Sequence, residues 1–163
     1  MRLGIISDTH DQLDRTKRAV DLLQSHGAET LVHCGDLCTS PILEACAVLP
    51  LWFVFGNNDC DEVPDLLVAS REMNATCLKW GGVAHIGGKK VGVTHGHLRT
   101  DINRVLSEHP DYLLSGHSHM SHDSVVDSVR HINPGAIYRA AKYTVAILDL
   151  VTEELTFITV PRP

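Results

Sequence analysis

The sequence predicts an α/β fold for a single domain covering residues 1–163, and three observations support this prediction. The 163 residues, 44% of them hydrophobic and 21% charged, are typical of one globular domain large enough to bury a core. In the first half of the chain, apolar runs alternate with helix-like segments, which favours a parallel sheet built from βαβ units. From about Ala75, short strand-like runs follow one another across glycine pairs, which indicates a second sheet.

The first half is expected to repeat the order strand, polar loop, helix. The predicted elements are a strand at 1–7, a helix at 12–27, a strand at 29–34, a helix at 40–49, a strand at 51–55 and a helix at 63–74. Gly27 is expected to close the first helix. Ser40 is the expected N-cap of the second helix because its hydroxyl can accept from a free backbone N–H, and Pro41 is expected at the first helical position.

The second half is expected to hold mostly antiparallel strands. Two Gly-Gly pairs, at 81–82 and 87–88, separate the strand-like segments ATCLKW, VAHI and KKVGVT and predict consecutive hairpins. A helix is predicted at 99–109 and a strand at 111–116. The last forty residues predict three antiparallel strands, at 123–133, 143–151 and 154–160.

Composition argues against several classes of function. A net charge of -6 without any run of Lys or Arg argues against nucleic acid as a partner. No apolar run approaches the ~20 residues that a membrane-spanning helix requires. Five cysteines make an odd number with no CxxC pair, and no secretory leader is evident, so the cytoplasm is the expected compartment. The sequence leaves open whether the chain forms a homo-oligomer.

Polar clusters follow five of the predicted strands, in the stretches SDTHD, CGDL, GNND, THGH and SGHSH, and all but the first contain glycine. Because ligands gather at the carboxyl ends of strands in α/β sheets, we expect these clusters to converge. Their oxygen and imidazole donors are Asp8, His10, Asp36, Asn57, Asn58, His95, His97, His117 and His119. Such a mixed set without thiolate suits Mn, Fe, Co, Ni or Zn better than an all-oxygen calcium or magnesium site.

In this order the five clusters resemble the motifs of calcineurin-like metallophosphoesterases, and the short chain resembles their compact bacterial and archaeal phosphodiesterases. The resemblance runs from residue 5 to about residue 137, where INPGA is similar to the Asn-Pro-Gly turn of the family. It implies a four-layer α-β-β-α sandwich with two mixed sheets, and two divalent metal ions, with manganese as the first choice. It further implies one ion on Asp8, His10, Asp36 and His119 and another on Asp36, Asn57, His95 and His117.

The chemistry implied is hydrolysis of a small-molecule phosphoester, with a diester preferred. A shared carboxylate such as Asp36 can hold two dications about 3.5–4 Å apart, and a water between them becomes hydroxide near neutral pH. The hypothesis is that this metal-bridging hydroxide attacks phosphorus. The sequence departs from the broader family at Asn58, where many members have histidine, and an amide transfers no proton at neutral pH. Substrates with stable leaving groups are therefore expected, and His97 either substitutes for the missing acid or only supports the ligands.

Two alternatives stay open at this point. One is a noncatalytic metal-binding scaffold of the same fold, since a retromer subunit that resembles the compact branch serves mainly as a protein-binding platform. The other is a mononuclear amidase, which shares His and Asp ligands but has no need of the GN-x-D cluster. His33, His85 and His131 are expected to be structural, and Arg99, Arg139 and Lys142 are assigned to solvated surface although each could meet a substrate phosphate.

Overall fold

The computed structural model describes residues 1–162, and it confirms the α/β fold and the two mixed sheets. The helices are α1 (Leu13–Ser25), α2 (Ser40–Cys46), α3 (Val63–Arg71) and α4 (Arg99–Leu106), and a short 3-10 helix covers Asn57–Glu62. The strands are β1 (Arg2–Ile6), β2 (Thr30–His33), β3 (Leu51–Phe53), β4 (Ala75–Cys77), β5 (Gly81–Ile86), β6 (Lys89–Thr94), β7 (Tyr112–Leu114), β8 (Ser121–Val126), β9 (Val129–Pro134), β10 (Thr144–Asp149) and β11 (Leu155–Thr159). Within residues 1–162, no helix combines the length and apolar character needed to cross a membrane.

Each sheet combines parallel and antiparallel neighbours. The first has the order β11-β10-β1-β2-β3-β4, in which β1 to β4 are parallel and the pairings of β10 are antiparallel. The second has the order β5-β6-β7-β9-β8, in which β6, β7 and β9 are parallel and the outer strands β5 and β8 are antiparallel to their neighbours. Parallel neighbours bring the carboxyl ends of β1, β2 and β3 to one edge of the first sheet.

Alternating side chains of β1 fill two separate hydrophobic cores. Leu3 and Ile5 join the core between the two sheets, whereas Ile6 joins the core between the first sheet and the helices α1, α2 and α3. On the far side, α4 packs against β5 and β6. The order of layers is therefore helices, sheet, sheet, helix, as the family resemblance implies.

The expectation of consecutive hairpins at both glycine pairs is wrong for the first pair. Gly81 and Gly82 begin β5, and the strand before them, β4, pairs in parallel with β3 in the first sheet. The chain thus crosses from one sheet to the other at 78–80 and does not turn back on itself. The second pair does form a hairpin turn, between β5 and β6, with both glycines at positive φ.

Two smaller expectations also need correction. Residues 123–133 do not form one strand, because Asp127 and Ser128 turn the chain between β8 and β9 with φ of 48° and 68°. Positive φ at both central positions is typical of a type I′ hairpin turn. The N-cap of α2 is Thr39, with extended backbone, so that Ser40 is the first helical residue and Pro41 the second.

Candidate metal centre

The loops after β1, β2, β3, β6 and β7 meet at one end of the sandwich. Backbone hydrogen bonds tie them together: the N–H of Asp8 donates to the carbonyl of Gly35 at 3.1 Å, and the N–H of Gly116 donates to the carbonyl of His95 at 3.0 Å. The N–H of His117 donates to Asp8 Oδ2 at 3.0 Å, which joins the loop after β7 to the loop after β1. The strand-end clusters therefore converge, as the sequence predicts.

Two buried carboxylates lie among the imidazoles at this point. Asp8 Oδ1 lies 3.2 Å from His119 Nε2 and 3.9 Å from His10 Nε2. Asp36 Oδ2 lies 3.4 Å from both His10 Nε2 and His95 Nε2. Asp8, His10 and His119 form one group that could hold a metal ion, and Asp8, Asp36 and His95 form another.

Three polar atoms of this cluster are buried without a hydrogen-bond partner, namely Asp8 Oδ1, His10 Nε2 and His95 Nε2. Each buried unpaired group costs about 1–3 kcal/mol, so three of them converging on a shared space call for a common partner. A divalent cation accepts both carboxylate oxygen and neutral imidazole nitrogen as ligands. The residues present therefore fit a metal ion.

Protein contacts aim the imidazoles at this space. His95 Nδ1–H donates to the carbonyl of Cys34 at 2.8 Å, which leaves the lone pair on Nε2. His119 Nδ1 lies 3.4 Å from the carbonyl of Arg139 in the same arrangement. Burial lowers the pKa of His10, and the nearby Asp36 and Asp8 offset that effect only in part. Burial also lowers the pKa of His95, but attraction by Asp36 outweighs it and the net shift is upward.

Backbone strain is concentrated in the same residues. Five of the seven predicted ligands have φ between 42° and 66°, namely Asp8, His10, Asp36, His117 and His119. This left-handed region is uncommon for residues other than glycine and costs of order 1 kcal/mol or more per residue. Conformations of this kind cluster at functional sites, which favours a metal-binding role over simple helix capping for these loops.

An open cleft of about 320 Å³ lies at this site, and every predicted residue lines it except the fully buried Asp8 and His95 and the partly buried His97. The residues that line it are His10, Asp36, Asn57, Asn58, His117, His119, Tyr138 and Arg139. The ring of His97 lies 5.4 Å from that of His95 and 6.1 Å from that of His117. His97 does not line the cleft, so its position suits support of the two rings better than contact with a substrate.

Asn58 holds the carboxylate of Asp36 with two hydrogen bonds. Its backbone N–H donates to Oδ1 at 2.9 Å and its side-chain amide donates to Oδ2 at 2.8 Å. Burial alone would raise the pKa of Asp36, but attraction by the adjacent His95 ring and the hydrogen bonds from Asn58 outweigh burial and hold that pKa well below its usual range. Asp36 is therefore an ionised carboxylate at neutral pH.

Sequence reasoning assigned no role to Asp59, although it is the last residue of the GNND motif. Its side chain is fully buried and accepts three backbone N–H groups, from Asp36 at 2.9 Å, Gly56 at 2.7 Å and Cys38 at 2.7 Å. Burial raises the pKa of Asp59, and the hydrogen bonds from the backbone work against that rise. Asp59 thus ties the loop after β2 to the loop after β3.

Hydrogen bonds of Ser7 and His33 also hold residues of the site in place. Ser7 Oγ donates to Asp8 Oδ2 at 2.6 Å, which leaves Asp8 Oδ1 as the free oxygen. His33 Nδ1 accepts from the N–H of Gly35 at 3.2 Å, so its Nε2–H donates to Thr9 Oγ1 at 3.1 Å. Burial lowers the pKa of His33 to about 3, so this ring is neutral at physiological pH. The structure bears out the structural role expected of His33.

Residues 1–153 of the chain match the family described as the calcineurin-like phosphoesterase superfamily domain. A phosphodiesterase of Methanocaldococcus jannaschii is 29% identical to the chain over 160 residues, which cover 94% of this chain and 96% of that protein. The probable metallophosphoesterase YsnB of Bacillus subtilis is 30% identical over 147 residues, which cover 84% of this chain and 75% of that protein.

A solved structure described as a novel archaeal phosphodiesterase superposes with a TM-score of 0.82 at 29% sequence identity. The superposition covers 98% of this chain and 99% of that one. The likeness therefore extends over both sheets and the cleft between their strand ends.

Proposed function

The chain belongs to the calcineurin-like phosphoesterase superfamily, and from that premise we propose that it is a metal-dependent phosphodiesterase acting on small-molecule phosphoesters. The observation that carries this proposal is the convergence of unpaired carboxylate and imidazole atoms at the strand ends. The noncatalytic scaffold is not favoured, because the named relatives are phosphodiesterases and metallophosphoesterases.

Two divalent ions fit the donors that line and underlie the cleft. Asp8, His10, Asp36 and His119 would hold one ion, and Asp36, Asn57, His95 and His117 would hold the other. The first set is supported by the short distances among its carboxylate and imidazole atoms. For the second, His95 lies beside Asp36 and its ring is 5.2 Å from that of His117. Manganese is the first choice for this donor set, which also suits iron, zinc, nickel and cobalt.

When bound, the ions would supply positive charge for the phosphoryl oxygens and would acidify a water molecule for attack on phosphorus. The chain's own residues prepare the site for that chemistry. Asp36 stays ionised because Asn58 donates to both of its oxygens, and the carbonyl of Cys34 fixes the proton of His95 on Nδ1. Asn58 donates hydrogen bonds but has no proton to transfer to a leaving group, so esters of acidic alcohols should react best.

The test is a hydrolysis screen with protein loaded in turn with Mn²⁺, Fe²⁺, Co²⁺, Ni²⁺ and Zn²⁺. We expect bis(4-nitrophenyl) phosphate, an activated diester, to be cleaved faster than the monoester 4-nitrophenyl phosphate. Asp36→Ala should abolish this activity, whereas Asp65→Ala, which removes an exposed carboxylate from α3, should leave it unchanged. Full activity in Asp36→Ala would refute the mechanism.

The cytoplasm is the compartment that we propose for the protein. All five cysteines are free thiols, of which two are buried, two are partly buried and one is exposed, and none forms a disulfide among residues 1–162. Free thiols in such number are typical of a reducing compartment.

A further inference from the structure

Tyr138 and Arg139 line the same cleft as the proposed metal ligands, although they belong to the loop between β9 and β10. Gly135, at φ of 84°, redirects the chain after β9 and starts this loop toward the cleft. Neither residue has a place in the mechanism described above. Their position at the wall of the cleft raises the question of what they contact.

Arg139 is connected to two proposed metal ligands, to His10 through Tyr138 and to His119 through its own backbone carbonyl. Its guanidinium carbon lies 5.0 Å from the centre of the Tyr138 ring, which in turn packs 4.6 Å from the ring of His10. Its carbonyl oxygen lies 3.4 Å from His119 Nδ1. Arg139 itself has φ of 42°, so the backbone adopts an uncommon conformation to present this side chain.

Arg139 also carries the only guanidinium or ammonium group on the wall of the cleft within residues 1–162. The other lining side chains are imidazoles, amides, a phenol and the carboxylate of Asp36. Among the described residues, the guanidinium of Arg139 takes part in no ion pair and no hydrogen bond, and the side chain is exposed. A guanidinium presents paired N–H donors that match two oxygens of a phosphate group.

We propose that Arg139 is a substrate-binding residue whose guanidinium donates to the non-bridging oxygens of the phosphoryl group, with Tyr138 as the residue that positions it. This inference rests on the proposed phosphoesterase function and names the side chain that binds the phosphoryl group of the substrate. Arg139 supplies a fixed positive charge at the His10 and His119 side of the cleft, whereas Asn58 lies beside Asp36. The site therefore selects anionic phosphoesters over neutral esters of similar size.

The first test compares Arg139→Ala, Arg139→Lys and the control Lys142→Ala in the metal-loaded protein. Lys142 is exposed in the same loop and does not line the cleft, so its loss removes the same charge without the proposed contact. For bis(4-nitrophenyl) phosphate, kcat/KM should fall about 10- to 100-fold in Arg139→Ala, as expected for loss of a charged hydrogen bond. Arg139→Lys should fall less, Lys142→Ala should stay within about twofold, and added guanidinium ion should restore part of the activity of Arg139→Ala.

A second readout does not depend on turnover. Inorganic phosphate is titrated calorimetrically into the metal-loaded wild type and each variant, and the metal content of each is measured alongside. Phosphate should bind Arg139→Ala about 10-fold or more weakly with unchanged metal content. Tyr138→Leu should weaken phosphate binding more than Tyr138→Phe, because the ring face and not the hydroxyl contacts Arg139.

Equal phosphate affinity and equal kcat/KM in wild type and Arg139→Ala would overturn the inference and leave the phosphoesterase function standing. An equal loss of kcat/KM in Lys142→Ala would also overturn the inference, because the effect would then come from the loss of one positive charge and not from a contact made by Arg139. A wild type that neither turns over any phosphoester nor binds phosphate with any metal would instead contradict the proposed function itself.

Discussion

Asp59 stabilises the loops beneath the candidate site, because its carboxylate accepts hydrogen bonds from three backbone N–H groups of two loops. Asp59→Ala would leave those donors buried and unpaired, so we expect the free energy of unfolding to fall by about 2–4 kcal/mol. Chemical denaturation of the metal-free protein measures this change. Asp61→Ala, an exposed carboxylate in the same 3-10 helix, is the matched control and should change stability by less than about 0.5 kcal/mol. A similar small effect in both variants would contradict the role of Asp59.

His33 predicts a specific pH dependence of stability. Its pKa of about 3 in the folded protein lies below the unfolded value of 6.5, so the unfolded chain binds more protons between these values. The stabilisation is complete above pH 6.5 and is lost as the pH falls toward 3. Between pH 7 and pH 5 the wild type should lose about 2 kcal/mol more stability than His33→Gln.

The His33 measurement uses denaturant titrations of metal-free protein at each pH. His26→Gln serves as the matched control for loss of a histidine, because His26 is exposed at the end of α1. Parallel profiles for wild type and His33→Gln would show that His33 is not the buried neutral ring described here.

At the residue scale, the sequence predicted the strand-end donors but not all of their neighbours. Asp8, Asp36 and the histidines stand out because they follow apolar strands, and all but Asp8 and His10 lie within three residues of a glycine, a signal that is local in the chain. Tyr138 and Arg139 carry no such signal. Their place in the cleft depends on the path of a loop more than one hundred residues away from His10 in sequence, and only the tertiary packing of Tyr138 on His10 reveals it.

At the element scale, the close approach of the loops after β1 and β7 depends on Gly116. A Cβ at this position would collide with Ser7 Oγ and lie 2.6 Å from Asp8 Oδ2. We expect Gly116→Ala to reduce stability by about 1–3 kcal/mol through overpacking and to weaken binding of Mn²⁺ at least 10-fold by displacing Asp8.

Gly82→Ala is the control for this substitution, because a Cβ at Gly82 would meet its nearest atom, Leu78 Cβ, at an ordinary 3.4 Å. Its metal affinity should equal that of the wild type in a calorimetric titration. If Gly116→Ala also bound Mn²⁺ as the wild type does, the close contact of the two loops would not matter for the site.

The glycine pairs explain which element predictions fail. Gly87 and Gly88 both have positive φ and turn the chain, whereas Gly82 lies in extended β5. Both pairs have the same sequence, Gly-Gly. Whether such a pair forms a hairpin turn depends on whether the flanking strands belong to the same sheet, and the local sequence does not encode this. Conversely, Asp127 and Ser128 make a hairpin turn without the glycine that usually signals one.

At the scale of the whole molecule, the site exists because two sheets present strand ends at the same place. Three of the loops follow β1, β2 and β3 of the first sheet, and two follow β6 and β7 of the second. The core between the sheets, which includes Leu3, Val93 and Leu114, keeps these ends together. This shared core supports our proposal that residues 1–163 form a single domain. The polar clusters at the ends of the predicted strands were sufficient to predict the convergence, but not the distances between the groups.

Metal content per chain tests the central claim most directly, because the proposed set of seven ligands, with Asp36 shared, would hold two ions. Metal-free protein is titrated with Mn²⁺ by calorimetry, and the ions retained after gel filtration are counted by elemental analysis. The wild type should retain two ions per chain and Asp36→Ala fewer than two. A wild type that binds no ion or one ion, or an Asp36→Ala variant that still retains two, would contradict the dinuclear site.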